Sequence, residues 1–89
     1  MFEASHAKGE ASLKQKRLVF KQIQQHKDHQ STCRVDTIWK AIMNLSDKEA
    51  FDRGKPIIEN KAMLISTIEA LEGDNCVMYA PEDGNVVLI

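Results

Sequence analysis

Apolar residues along this chain fall into three stretches at helical spacing and three short runs at strand spacing. In the first stretch Leu13, Phe20 and Ile23, with Val19 beside them, form one face, and Lys14, Lys16, Arg17 and Lys21 lie largely outside it. Ser12 followed by Gln15 fits a capping box, because each side chain can satisfy an orphan N–H of the first turn. A helix is therefore expected to run to about His26. HQSTCRV breaks it, and STCRV has the β-branched residues for one short strand. Asp36 is a good N-cap for a second helix, TIWKAIMN, where Ile38, Trp39, Ile42 and Met43 recur at helical spacing. LSDKEAFDRGKP is polar and is punctuated by Gly54 and Pro56. Within it Ser46 and Glu49 suit a single capped turn that carries Ala50 and Phe51 inward.

Asn60 suits the cap of a third long helix, KAMLISTIEALE. Leu64, Ile65, Ile68 and Leu71 make one buried stripe there, and Gly73 is placed to end it in left-handed backbone. Strand NCVMYA, turn PEDG and strand NVVLI follow, with Pro81 and Gly84 suited to a type I turn. Three helical stripes in so short a chain must share one centre, and the terminal hairpin covers its open side. The expected fold is α+β, a winged helix: a helix-turn-helix core of three helices, a short strand and a C-terminal β-hairpin wing. Residues 12–89 form that domain. Residues 1–11 are unpatterned and read as a flexible arm or linker remnant.

Composition narrows the class. An apolar fraction of 43% with four Gly and two Pro is that of a globular chain. Cys33 and Cys76 lack framework spacing and read as free thiols in a reducing compartment. No apolar run approaches the ~20 residues that span a bilayer, and the N-terminus has no apolar signal region, so no membrane role is expected. Charge is lopsided: residues 1–44 carry eight basic and four acidic groups, residues 45–89 four and nine. From residue 60 onward Lys61 is the one basic side chain, against Glu69, Glu72, Asp74, Glu82 and Asp83. A winged helix that reads DNA backs its third helix with Lys or Arg on phosphates, and an acidic wing tip repels them. Direct DNA binding is therefore expected to be weak or absent. Lys14, Lys16, Arg17 and Lys21 offer at most a weak backbone contact, and a solvated helix face is the simpler account of them. A DNA-binding module of transcription-factor type is the alternative.

The wing poses a sharper question. Cys76, Met78, Val86 and Leu88 cannot all share one face with Val77, Tyr79, Val87 and Ile89, because alternate strand residues face opposite sides. One set packs on the helices, and the other is left as an apolar patch beside an acidic tip, which marks a protein partner site unless a neighbouring segment such as the N-terminal arm covers it. Evidence for chemistry is thin. His26, His29 and Cys33 are ligand types at a spacing foreign to structural zinc, so no metal is expected. The glycines are scattered, with no phosphate loop, and no Ser or Cys sits in a nucleophile motif. Trp39 is most simply core. This chain alone is not expected to be an enzyme.

Two stretches carry a family resemblance: KRLVFKQIQQHKDHQS and LISTIEALEGDNCVMYAPEDGNVVLI. Together they resemble the C-terminal winged-helix domain of the third subunit of the eukaryotic minichromosome maintenance (MCM) replicative DNA helicase. The match covers about residues 12–89, with GDNCVM and GNVVLI its most specific parts; the segment 45–58 looks longer than in the family. The resemblance implies a nuclear role in replication licensing, in which this domain docks the helicase onto the origin recognition complex through its loader ATPase. Other MCM subunits would be met through the parent chain. ATP and magnesium belong to an AAA+ domain absent from these residues, and no cofactor is implied here. Carried over by position, the docking surface would comprise Lys61, Met63, Tyr79, Pro81, Glu82, Asp83, Gly84, Asn85, Val87 and Ile89.

Overall fold

A computed structural model describes residues 11–89. The arm read over residues 1–11 therefore lies, Ala11 apart, outside the described residues. Helix α1, Leu13–His26, starts where expected, and both halves of the capping box form. The Gln15 N–H donates to Ser12 Oγ at 3.2 Å, and the Ser12 N–H donates to Gln15 Oε1 at 2.9 Å. Strand β1, Thr32–Arg34, leads directly into α2, Val35–Met43. Arg34, not Asp36, occupies the N-cap and makes no side-chain cap bond. Asp36 lies one residue inside the helix, where a carboxylate still meets the positive end of the dipole.

The polar stretch that follows holds more structure than its composition suggests. Helix α3 is one turn, Asp47–Ala50, and Ser46 at its cap makes no side-chain bond. Strands β2, Phe51–Asp52, and β3, Lys55–Pro56, then pair antiparallel. Arg53 and Gly54 between them are both left-handed, with φ 55° and 80°. Two consecutive positive φ values are what a two-residue hairpin turn requires, and Gly54 supplies one at no steric cost. Phe51, expected to point inward, is exposed instead, because it belongs to this surface hairpin and not to the helical turn.

Helix α4, Lys61–Gly73, has Asn60 as its cap, the Met63 N–H donating to Asn60 Oδ1 at 2.7 Å. Its end differs from expectation. Gly73 stays helical, Asp74 caps, and the left-handed residue is Asn75 at φ 62°. Asn tolerates that region better than most side chains. Strands β4, Val77–Ala80, and β5, Asn85–Leu88, complete the described chain. The turn between them closes on Ala80, whose carbonyl accepts from the Asp83 and Gly84 N–H groups at 3.2 and 2.9 Å. Pro81 thus holds the second turn position, and Gly84 lies one residue past the turn, left-handed at φ 67°. Among the described residues there are four helices and two antiparallel sheets, the larger in the order β1-β5-β4. None of these helices is long and apolar enough to cross a membrane.

One core joins these elements. Leu18, Val19 and Ile23 of α1 meet Ile38 and Ile42 of α2, Leu64, Ile68 and Leu71 of α4, and Val77 and Val86 of the sheet. Each such aliphatic side chain contributes roughly 1.5–3 kcal/mol by leaving water. Trp39 packs against this core from its edge, while Leu13 and Met43, placed on the apolar stripes by spacing, are exposed.

Lys16 departs furthest from the sequence reading. Its side chain is 2% exposed, and Nζ donates to Asp74 Oδ2 at 2.7 Å; the Asp74 side chain is equally buried. The pair joins the first turns of α1 to the corner where α4 gives way to β4. A buried cation is tolerable only with a close anion. Lys16→Ala is expected to cost about 3–5 kcal/mol, because it removes the ammonium from a buried carboxylate. Urea denaturation of Lys16→Ala and of Lys16→Met/Asp74→Leu checks this: the double variant should recover most of the loss.

Candidate functional site

The turn fixes which wing residues face outward. Ala80 pairs with Asn85, Tyr79 with Val86, Met78 with Val87 and Val77 with Leu88. Residues directly opposite share a face, so Val77, Tyr79, Val86 and Leu88 form the inner set. Val77 and Val86 are wholly buried, and Tyr79 and Leu88 pack against the core. The outer set is Met78, Ala80, Asn85 and Val87. The Ile89 N–H donates to the Cys76 carbonyl at 3.2 Å, and exposed Ile89 lies beyond Val87 on the outer side, while Cys76 packs against the core. The two sets read from the sequence were each split across the hairpin, because alternation within a strand does not fix the phase of its neighbour.

Strand β1 widens this face. Thr32 lies opposite Val87 and Arg34 opposite Asn85. Two rows result, with Ile89 beyond the first: Met78, Val87 and Thr32; Ala80, Asn85 and Arg34. Met78 is 61% exposed and Ile89 73%. Pro81, Glu82 and Asp83 are exposed at the tip, beside the second row. The outer face is thus apolar at one end and charged at the other.

At each outer edge of the sheet a carboxylate takes one outward backbone N–H. On β4 the Tyr79 N–H donates to Glu72 Oε2 at 3.2 Å. On β1 the Thr32 N–H donates to Asp28 Oδ1 at 3.0 Å, and the Thr32 carbonyl accepts from the Asp28 N–H at 2.8 Å. Asp28 Oδ1 also accepts from Gln30 N–H at 2.8 Å, and the loop turns through Ser31 at φ 62°. Those bonds, Thr32 first and Gln30 second, hold the Asp28 carboxyl below its ordinary range.

The other residues singled out from the sequence are distributed elsewhere. Lys61 at the start of α4 is ion-paired with Asp36, and that hydrogen bond holds the Asp36 carboxyl low. Met63 is half-buried, its sulfur accepting from Gln15 Nε2 at 3.2 Å and from the Glu59 N–H at 3.4 Å, so it braces α1 and does not form an outward surface. Tyr79 faces inward, and Gly84 shapes the turn. Asn85, Val87 and Ile89 share the outer face. Met78, Thr32 and Arg34 complete that face and were not singled out as partner residues; the length of the PEDG turn, which sets Ala80 against Asn85, was the available signal. On α1, Arg17 and Lys21 are exposed, and Lys14 is held by Asp52 at 2.7 Å. Lys16 must be withdrawn from any phosphate-contacting group, since it is buried against Asp74.

Little else converges. A cleft of about 230 Å³ between the start of α1 and the β2–β3 hairpin is lined by Lys14, Asp52, Lys55 and Glu59 among others, and Lys14 and Asp52 satisfy each other there. Among the described residues no three His, Cys, Asp or Glu side chains gather as metal ligands. Burial pushes the thiols of Cys33 and Cys76 up, away from the reactive thiolate. No family model, curated protein or solved structure matches the chain.

A group whose folded pKa is depressed stabilises above its unfolded pKa, and that stabilisation is lost as pH falls through the folded value. Asp28 is therefore expected to hold the β1 edge at neutral pH and to release it only in acid, below the usual carboxylate range. Amide exchange of Gln30 and Thr32 across an acid titration measures this; Asp28→Ala should free both amides at neutral pH.

Proposed function

We propose that the chain is a winged-helix protein-docking domain, with α1, α2 and α4 as the helical core and the β4–β5 hairpin as the wing. The element order and the β1-β5-β4 sheet support that reading of the fold. The observation that carries the function is the outer wing face, with Met78 beside Val87, Ile89 beyond them and Glu82-Asp83 at the tip. An exposed apolar surface rimmed by charge suits a protein partner. The outward side of α4 argues against a phosphate partner, for it carries Ala62, Ser66 and Glu69, and its one basic residue, Lys61, is engaged by Asp36. Acting by contact and not by catalysis, such a domain needs no cofactor of its own.

The resemblance to the C-terminal domain of the third MCM subunit supplies the partner in this proposal. The domain recruits the replicative helicase, in the nucleus, to the origin recognition complex through the loader ATPase. The parent chain supplies ATP hydrolysis and the contacts to other MCM subunits.

Calorimetric titration of the chain with the loader ATPase bound to the origin recognition complex tests this. Met78→Glu with Val87→Lys should weaken binding at least about tenfold, as loss of a central apolar contact does, while thermal unfolding moves little. Glu82→Lys with Asp83→Lys should weaken it less and flatten its salt dependence. Unchanged affinity in folded variants would refute the assignment. Amide shifts along α4 on adding duplex DNA at low salt, fading as salt rises, would replace it with a DNA reader.

A further inference from the structure

The outer face has a definite width, length and polarity, and each of its edges has one outward N–H already taken. Three strands roughly 4.8 Å apart give a face about 10 Å across, close to the diameter of one helix. From Asn85 to Ile89 the outer face runs four residue steps along β5 and the residue after it, about 13 Å, a length covered by about nine helical residues. A partner strand would add most readily at an edge, through main-chain hydrogen bonds. Here the outward N–H of Tyr79 is taken by Glu72 and that of Thr32 by Asp28. Carboxylates in those positions block strand addition.

Resting on the protein-docking reading above, we infer that the occupant of this face is an amphipathic helix of the partner protein, lying along β4 and β5. Its aliphatic side chains, at i, i+3, i+4 and i+7, cover Met78, Val87 and Ile89, and its Lys or Arg residues lie over Glu82 and Asp83. Charge complementarity fixes the end that is basic. Met78 suits such a contact, since an unbranched thioether adapts to the side chains laid on it.

Three synthetic peptides of about eighteen residues test the inference without reference to the loader. One carries Leu at the helical spacing with Lys at one end. The second has the same composition in strict alternation. The third is the first with Glu in place of Lys. Each is titrated into the 89-residue chain, and the methyl signals of Met78, Val87 and Ile89 are followed by NMR. The first peptide should bind about tenfold or more tighter than the second, with the Tyr79 and Thr32 amides still protected from exchange. The third should bind about three- to tenfold more weakly than the first, and Glu82→Lys with Asp83→Lys should invert that order. Preference for the alternating peptide, or exposure and re-pairing of the Tyr79 amide on binding, would overturn the inference in favour of a strand. A concentration-dependent dimer abolished by Met78→Glu would overturn it in favour of a second copy. Failure of the loader to bind while the helical peptide does would remove only the identity of the partner.

Discussion

The buried pair of Lys16 with Asp74 is the constraint on which the site depends. Desolvating an ammonium and a carboxylate together is tolerated only at close range, so the two groups fix the distance between the start of α1 and the end of α4. Asp74 is also the cap from which the chain turns, through left-handed Asn75, into β4. The wing is thus referenced to the helical core at its root. A hydrophobic pair could fill the same volume, but it would tolerate sliding that a 2.7 Å hydrogen bond does not. Whether Met78 and Val87 present a flat surface follows from this corner, because the strand directions are set there.

The same constraint explains how charge is apportioned. Lys16 is withdrawn into the interior, and Lys14 and Lys61 are each engaged by an aspartate. Of the basic residues once grouped on α1, Arg17 and Lys21 keep the character the grouping assumed. The acidic residues divide by task. Asp28 and Glu72 hold backbone at the sheet edges, and Asp74 holds the core. Glu82 and Asp83 stay exposed at the tip. Counting charges along the sequence cannot separate these roles, since it registers an acid that ties down an amide and one that faces a partner as the same quantity.

Legibility in the sequence followed the range of each interaction. The Ser12–Gln15 box and the Asn60 cap are local, and both were readable three residues ahead. The stripe Leu64, Ile68 and Leu71 was likewise readable from period alone. The β2–β3 hairpin was not, because two-residue strands offer no alternation and Arg53 is an unusual occupant of a left-handed turn position. Lys16 was misplaced because its partner stands 58 residues away. The outer face was missed in a more instructive way. Its apolar members, Met78, Val87 and Ile89, were identified as strand positions, and the phase between the strands was lacking.

The sheet order has a consequence for how the molecule is made. The last of the three strands to be synthesised, β5, occupies the middle of the sheet, between β1 and β4. As the chain leaves the ribosome, β1 therefore waits with no neighbour, across all of α2, α3 and α4, until residues 85–88 emerge. Asp28, beside β1, covers only the outer edge of that nascent strand, and the edge that will meet β5 stays open through the wait.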